Sequence, residues 1–221
     1  MTVIIPESVT CTICDCISEQ PILKSTNTFF GEPDLDLRPP ELMRSTINTW
    51  VQTCPDCGYC YPNISFGDAA HKPVVSSKEY KDQLKSGEYP SLANAFLCLA
   101  QIYIPENIPD LAGLQFHYAA WVCDDENLKK QAAECRKKAI ARFGIAKERG
   151  IVLTDDKEFD DLVLADLHRR TGQFENALKY CESGLQNTRN SEYNRYYLRE
   201  MDFIHRCDTQ CHTLTVDESR R

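Results

Sequence analysis

Four cysteines in the first 60 residues have the spacing of metal ligands. They form two C-x2-C pairs, CTIC at residues 11–14 and CPDC at residues 54–57, separated by 39 residues. Two such pairs can offer four thiolates to one tetrahedral ion, and zinc fits that geometry and donor set best. Gly58 follows the second pair and relieves crowding where the backbone turns, so that its amides can point at the sulfurs. The spacing therefore predicts one structural zinc ion per chain, with the ligands Cys11, Cys14, Cys54 and Cys57.

Other thiols leave alternatives to this ligand set. Cys16 and Cys60 lie close enough in the sequence to replace a ligand. Six cysteines within 60 residues could also hold an iron–sulfur cluster. A redox dithiol at Cys54 and Cys57 has the C-x-x-C form, although the pair does not open a helix after a strand as in thioredoxin-like proteins.

A second candidate metal site lies near the end of the chain. It consists of His205, Cys207, Cys211 and His212. The two thiols are four residues apart and would share one face of a predicted helix. Such a face either binds a metal or packs against a neighbouring helix, because free cysteine behaves as a small buried hydrophobic residue.

Residues 1–75 are predicted to form a small zinc-ribbon-like β module that carries the cysteine pairs. This stretch is rich in proline and glycine, and it contains two strand candidates at residues 22–29 and 47–53. The cysteine pairs of a zinc site are usually separated by about 15–20 residues, so the longer separation here requires an insertion. GEPDLDLRPPE, at residues 31–41, has loop composition and is predicted to be that insertion, ordered or partly mobile.

Residues 76–221 are predicted to form a helical domain. Helical periodicity and capping residues place its antiparallel helices at residues 77–85, 91–104, 110–123, 126–143, 158–171, 175–186 and 192–211. The predicted fold class is therefore mainly α, with the β module at the N-terminal end.

One helical stretch is typical of a tetratricopeptide repeat (TPR). In RRTGQFENALKYCESGL, at residues 169–185, Gly172 and Phe174 stand at the turn, and Ala177 stands where paired helices cross closely. A looser unit spans residues 113–146, so the helices are predicted to form TPR-like antiparallel hairpins. An ordinary helical bundle with one TPR-like hairpin is the alternative.

A repeat of this kind would present the inner face of its first helix to a partner. The residues predicted on that face are Phe159, Leu162, Asp166 and Arg169. Their mixed apolar and charged character suits a peptide segment, because solenoids bind through such concave faces. The same residues could equally pack on the preceding helices.

The whole chain resembles a bacterial family of uncharacterised proteins, defined as a domain of unknown function. Members join an N-terminal C-x2-C knuckle to a CPxCGY knuckle and then to TPR-like helices. The resemblance rests on four segments: CTIC, TWVQTCPDCGY, LAGLQFHYAAWVC and TGQFENALKYCESGL. It implies zinc binding through Cys11, Cys14, Cys54 and Cys57, and it implies no activity.

Composition narrows the class and location of the protein. The 221 residues are 42% hydrophobic and 26% charged, which is ordinary for a globular protein, and no apolar run approaches the roughly 18 residues of a membrane helix. The opening MTVIIPESVTC has neither a basic start nor an apolar stretch followed by a cleavage site, so we expect no secretory signal. We therefore expect a cytoplasmic protein, in which thiols serve metal binding or packing.

The function that the sequence favours is that of a zinc-stabilised, non-enzymatic interaction or scaffold protein. Its expected partner is a protein or peptide, and self-association is a further expectation. The chain has no HExxH motif, no G-x-S-x-G motif and no phosphate-binding glycine loop, which favours a non-enzymatic role without deciding it. A redox or metal-dependent protein that uses the N-terminal cysteines is the alternative.

A nucleic-acid-binding zinc ribbon is the third hypothesis. The net charge is −8, and residues 1–75 carry four Lys and Arg against nine Asp and Glu. A basic face would have to come from Lys129, Lys130, Arg136, Lys137, Lys138 and Arg142. Acidic residues beside this set favour a solvated helix face, so we do not expect nucleic-acid binding.

Overall fold

The chain is mostly helical, with two small antiparallel sheets near its N-terminal end. The structure is a computed structural model that describes residues 2–27, 31–154 and 156–214. The helical majority confirms the predicted fold class. Within the described ranges, every helix is too short or too polar to cross a lipid bilayer.

Two β-hairpins carry the two cysteine pairs at their turns. Strand β1 (Val3–Thr10) pairs with β2 (Ile17–Ser25) on either side of the first pair. Strand β3 (Gln52–Thr53) pairs with β4 (Cys60–Tyr61) on either side of the second pair. Each C-x2-C segment therefore occupies a tight connection between antiparallel strands.

The first strand prediction, at residues 22–29, is wrong in extent. Strand β2 begins five residues earlier and ends at Ser25, and residues 28 and 29 lie outside the described residues. Strand β1 was not predicted, because its sequence VIIPESVT contains a proline and two consecutive exposed isoleucines that disrupt the alternation of apolar and polar residues.

The second strand prediction, at residues 47–53, is correct only for its last two residues. Ile47–Thr49 forms a 3-10 turn instead. The reason is local hydrogen bonding at Thr46, whose carbonyl accepts from the N–H of Thr49 and whose hydroxyl accepts from the indole of Trp50. Such bonds offer the backbone an alternative to a strand.

Nine α-helices lie within the described residues. The three short ones are α1 (Glu41–Arg44), α2 (Lys72–Ser76) and α3 (Lys78–Leu84). The six longer ones are α4 (Ser91–Tyr103), α5 (Pro109–Asp125), α6 (Lys129–Glu148), α7 (Asp160–Arg170), α8 (Phe174–Asn187) and α9 (Ser191–His205). Further 3-10 turns lie at Ala69–His71 and Lys157–Phe159.

The longer helices form hairpins with close crossings at glycines. Each of them contacts the next along the chain. A Cβ at Gly113 of α5 would collide with Phe143 of α6, and one at Gly184 of α8 would collide with Tyr197 of α9. These two glycines set the spacing of the helix pairs, whereas the TPR interpretation of the hairpins stays a prediction.

The last helix is shorter than the predicted range of 192–211. Helix α9 ends at His205, and Cys207 has a left-handed backbone with φ 52°. The N–H of Cys207 bonds the carbonyl of Ile204, and that of Asp208 bonds the carbonyl of Phe203. These bonds form a capping turn that ends the helix and redirects the chain.

The hydrophobic core is continuous across the predicted domain boundary at residue 75. One cluster of buried side chains includes Val9 and Tyr59 from the β-hairpins together with Phe96 and Phe143 from the helices. The division into residues 1–75 and 76–221 stays a prediction, and the two parts share one interior.

The segment predicted as an inserted loop is fixed within the helical part. We call residues 34–38 the strap. Leu35 is fully buried, and its N–H donates to the carbonyl of His212. Leu214 donates its N–H to the carbonyl of Pro33 in the same way. The strap therefore lies beneath the segment that follows α9.

Asp36 in the strap is the centre of a buried hydrogen-bond network. Its Oδ2 lies 3.1 Å from His117 Nε2, 2.8 Å from Trp121 Nε1 and 3.0 Å from Arg170 Nη1. Burial alone would raise the pKa of Asp36, but the hydrogen bond and charge of His117, with the charge of Arg170, hold that pKa well below its usual value. The strap is thereby tied to α5 and α7 together.

We expect the substitution Asp36→Asn to destabilise the fold by about 3 kcal/mol, because it leaves buried cationic donors without their counter-charge. Urea unfolding at pH 7 measures the change. The control is Asp82→Asn, which removes an exposed carboxylate paired with Lys78 and should cause no resolvable change. Equal stability of Asp36→Asn and the unaltered protein would show that the network contributes nothing to folding.

Candidate metal centre

The first cysteine pair sits in a turn closed by two backbone hydrogen bonds. The N–H of Cys11 donates to the carbonyl of Cys16 at 2.9 Å, and the N–H of Asp15 donates to the carbonyl of Cys11 at 2.9 Å. The N–H of Ile13 points at Cys11 Sγ at 3.4 Å. The turn therefore directs both sulfurs and backbone donors to one side.

The second pair repeats this geometry at the same relative positions. The N–H of Cys54 donates to the carbonyl of Tyr59 at 2.9 Å, and the N–H of Gly58 donates to the carbonyl of Cys54 at 3.0 Å. The two segments are therefore equivalent knuckles, although only the second has a glycine after its last cysteine.

The residue after each pair has a left-handed backbone. Gly58 has φ 78°, and Leu84 of α3 packs where its Cβ would lie. Asp15 occupies the same position in the first knuckle with φ 59°. Aspartate tolerates this conformation better than most residues. An aspartate at position 15 therefore indicates the turn of the first knuckle independently of the cysteine spacing.

The four sulfur atoms lie at distances suited to one tetrahedral ion. Cys11 Sγ is 3.7 Å from Cys57 Sγ, Cys14 Sγ is 3.5 Å from Cys54 Sγ, and all four sulfurs lie within 4.8 Å of one another. A tetrahedral ion with metal–sulfur bonds of about 2.3 Å requires sulfur separations of about 3.8 Å. These four cysteines therefore form a cluster that could bind a metal ion.

The electrostatics of the cluster change when a cation is present. Burial raises the pKa of Cys14 to about 11 and also raises that of Cys57. Burial opposes ionisation of Cys54 as well, but hydrogen bonds from the backbone amides of Cys57 and Asp56, together with those from the thiols of Cys14 and Cys57, lower the pKa of Cys54 to about 7. Four adjacent thiolates repel one another, so full ionisation requires a bound cation.

Polar side chains and backbone groups join the two knuckles. The Gln20 amide donates to the carbonyl of Thr53 at 3.2 Å, which links β2 to β3. The N–H of Thr12 donates to the carbonyl of Ile64, and the N–H of Ile64 donates to Gln52 Oε1. Both glutamines are buried, and sequence reasoning missed them because isolated polar residues carry no pattern.

Helix α3 holds the second knuckle from the other side. The hydroxyl of Tyr80 accepts from the N–H of Cys60 at 2.9 Å and donates to the carbonyl of Gly58 at 3.2 Å. Tyr80 is fully buried, so these bonds lie in the shared core. The helical part therefore helps to position Cys54 and Cys57.

A three-residue relay continues from the second knuckle. Tyr59 Oη is 2.6 Å from His71 Nδ1, and His71 Nε2 is 2.7 Å from Glu106 Oε1. Gly67 packs directly on the hydroxyl of Tyr59, which leaves no room there for a side chain. The relay therefore joins the knuckle to the turn after α4, where Glu106 lies at the surface.

Neither of the two alternative ligands belongs to the cluster of four. Cys16 Sγ makes a 3.8 Å contact with the carbonyl of Ile17. Cys60 is buried, and a hydrogen bond with the thiol of Cys98 lowers its pKa against the effect of burial. Cys11, Cys14, Cys54 and Cys57 are therefore the thiols that the structure brings together, and their role as metal ligands stays a prediction.

The second candidate metal site is not assembled within the described residues. Cys207 and Cys211 do not share a helix face, because α9 ends at His205. His212 stacks on Phe203 with ring centroids 3.7 Å apart and bonds Asp208 Oδ2 at 2.9 Å. The C-terminal thiols and imidazoles thus have separate surroundings.

The residues predicted to line a partner groove are mostly interior. Leu162, Asp166 and Arg169 are each at most 1% exposed, and Phe159 is half-buried. The expected exposure is therefore not found, because α9 and the chain after it cover this face of α7. Their role in partner binding stays a prediction that would require this cover to move.

Arg169 lies between two buried carboxylates under that cover. Its Nη2 is 2.5 Å from Asp166 Oδ1, its Nε is 2.6 Å from Glu200 Oε1, and its Nη1 donates to the carbonyls of Asp208 and Gln210. Burial, followed by the charge of Asp166, raises the pKa of Glu200 to about 8, against the effect of Arg169. The Arg169 guanidinium therefore bonds the carboxyl groups of both Asp166 and Glu200.

Comparison of the chain with protein-family models, with curated proteins and with solved structures finds no match. The candidate site is therefore defined by its own geometry.

We expect Asp15→Gly to keep or raise the stability of the zinc-loaded protein and Asp15→Val to lower it by about 1–2 kcal/mol, because valine resists a left-handed backbone. Thermal unfolding with zinc present measures both. The control is Asp56→Val, which removes an exposed acid at a position without a positive φ and should have little effect. An equal loss in the two valine variants would exclude backbone conformation as the cause.

We expect Glu200→Gln to gain stability relative to the unaltered protein as the pH rises from 5 to 8. Unfolded glutamate titrates near pH ~4.3, so between that value and about 8 the folded state holds a proton that the unfolded state has lost, and stability falls as pH rises. Glutamine removes this slope. Urea unfolding across the range measures the gap, and exposed Glu192→Gln on the same helix is the control. A gap independent of pH would contradict the assignment.

Proposed function

We propose that this chain is a zinc-stabilised interaction or scaffold protein in which the metal has a structural role. The observation that carries the proposal is the group of four cysteine sulfurs within 4.8 Å of one another, presented by two equivalent knuckles. The C-x2-C segment at residues 11–14 and the CPDCGY segment at residues 54–59 supply these two knuckles. The knuckle-bearing hairpins would then be a zinc-ribbon-like module attached to TPR-like helices.

The donor set supports zinc in particular. Four thiolates in tetrahedral arrangement are typical of structural zinc, and sulfur separations of 3.5 Å and 3.7 Å are close to those that zinc requires. Cys11, Cys14, Cys54 and Cys57 would hold one ion, which would supply charge compensation for the thiolates. Binding of a structural zinc ion contributes on the order of 10 kcal/mol to folding.

A complete set of four thiolates supports a structural role over a catalytic one. A catalytic zinc keeps a position for water or substrate, whereas two full knuckles occupy all four positions. The redox alternative uses the same cysteines, but pairing each cysteine with a partner across the two knuckles suits one shared ion better than a local Cys54–Cys57 dithiol. We therefore rank the redox hypothesis second.

A protein or peptide is a better candidate partner than a nucleic acid. Arg136, one of the six basic residues considered for a nucleic-acid face, is buried and paired with Asp124, and Lys137 pairs with Glu134 at 2.9 Å. With a net charge of −8, these pairs leave a weak electrostatic basis for phosphate binding. The twelve free thiols support a reducing compartment such as the cytoplasm.

The zinc proposal is tested by elemental analysis of protein purified without added metal. We expect one zinc per chain, and we expect Cys54→Ser to lose the metal and to unfold the N-terminal hairpins because a ligand is missing. The matched control is Cys16→Ser, which removes a thiol beside the first knuckle but outside the group of four and should retain zinc.

Two results would count against the proposal. Iron with visible colour in place of zinc would favour an iron–sulfur or redox protein. Equal metal loss from Cys16→Ser and Cys54→Ser would show that the four sulfurs are not the ligand set.

A further inference from the structure

A groove between helices α6 and α8 is lined by side chains that the metal centre does not use. Its volume is about 490 Å³, within the range of ligand-binding pockets. Ile140 and Ile145 of α6 form an apolar wall, and α8 lies opposite. A second cavity of about 680 Å³ adjoins the groove and shares Lys147 and Ser183 with it. Together they form an elongated depression along α8.

One face of α8 places hydrogen-bonding side chains along this depression. They are Asn176, Tyr180, Ser183 and Asn187. Spacings of four, three and four residues put them on one side of the helix. An adjacent face, which includes Ala177 and Cys181, is buried in the core. The stripe is therefore available to contact a ligand.

His168 of α7 contributes an unsatisfied polar atom to the groove wall. The side chain is 6% exposed, and its Nδ1 has no hydrogen-bond partner in the part of the chain that the structure describes. Its ring stacks on Tyr180 with centroids 5.3 Å apart. Burial lowers the pKa of His168, partly opposed by the Gln173 side chain, so the imidazole is neutral at pH 7. A hydrogen bond from a bound ligand would satisfy such a buried polar atom and stabilise the complex.

The charges at the centre of the depression cancel one another. Lys147 pairs with Asp161 and lies 4.8 Å from the centre of the Tyr180 ring. Ser183 Oγ donates to the other oxygen of Asp161 at 2.8 Å. At the rim, Lys179 and Glu148 carry opposite charges. The groove between α6 and α8 is therefore close to neutral, whereas the adjoining cavity adds Asp156, Glu158 and Asp160 against Lys157. The lining suits a ligand that bears no acidic group and alternates hydrogen-bond donors with acceptors.

We propose that this groove binds an extended peptide segment of a partner protein. Peptide groups alternate donors and acceptors, and the carboxamides of Asn176 and Asn187 can both donate and accept. From Asn176 to Asn187 the helix rises about 16 Å, which equals about five residues of extended chain. One apolar side chain of the peptide would lie against Ile140 and Ile145. This inference rests on the proposed interaction function and deepens it.

Gly144 of α6 offers a clean way to block the groove. It lines the groove, and a Cβ added there would meet nothing within 4 Å, so no close helix packing requires this glycine. Glycine inside a helix is less favourable than residues with a side chain. Gly144→Leu should therefore fill the groove while preserving the fold.

The experiment selects random heptapeptides displayed on phage against the immobilised, zinc-loaded full chain. Enriched peptides are synthesised with a fluorophore, and their affinity is measured by anisotropy. We expect saturable binding that Gly144→Leu weakens at least about tenfold and that N-methylation of the peptide main chain weakens similarly. The control is Gly87→Leu, a site that is equally open but outside the groove, which should leave affinity unchanged.

Three results would overturn the inference. They are a selection that enriches no specific peptide, equal affinity of the peptide for Gly144→Leu, and equal affinity of the N-methylated peptide. Zinc analysis of the same preparations separates failure of the peptide inference from failure of the zinc proposal, because Gly144→Leu leaves all four cysteines in place. Intact zinc without peptide binding defeats only the groove, and groove-dependent binding without zinc defeats only the metal assignment.

Discussion

A single carboxylate oxygen of Asp36 accepts hydrogen bonds from His117, Trp121 and Arg170, and the rest of the structure depends on this arrangement. A carboxylate without solvent costs several kcal/mol unless charged and polar donors surround it, so α5 and α7 must approach the strap closely and in a fixed orientation. The strap leads through α1 into β3 and the second knuckle. The network therefore places the cysteine-bearing hairpins relative to two helical hairpins at once.

A second set of contacts holds the second knuckle from the side of helices α3 and α4. Tyr80 of α3 bonds both the N–H of Cys60 and the carbonyl of Gly58, and the relay through Tyr59 and His71 reaches the turn after α4. The second knuckle is thus held by the strap on its N-terminal side and by helices on its C-terminal side. The first knuckle depends mainly on β1, β2 and their links to the second, so a metal ion shared by the two knuckles would stabilise the first knuckle most.

The knuckles and most helices could be predicted because their causes are local. Ligand spacing, capping residues and 3.6-residue periodicity all act within a few turns of chain. The role of the strap could not be predicted, since the partners of Asp36 lie 81, 85 and 134 residues away and GEPDLDLRPPE has the composition of a surface loop. The same limit applies to Leu162 and Arg169: periodicity places them on one helix face, but only the path of the chain after Cys207 decides that this face is covered.

The carboxylate of Asp36 and the four clustered thiols differ in how their negative charge can be compensated. The charge of Asp36 is compensated within the chain, by donors on α5 and α7. Ionised, the four thiols repel one another, and burial raises the pKa of Cys14 and Cys57.

A 39-residue loop separates the cysteine pairs, and closing a loop of that length has an entropic cost. Because the strap lies within this loop and is anchored in the helical core, the folded helices restrict the loop that joins the two cysteine pairs. An ion bound at the sulfurs would then hold the first knuckle against a second knuckle that the helices already position.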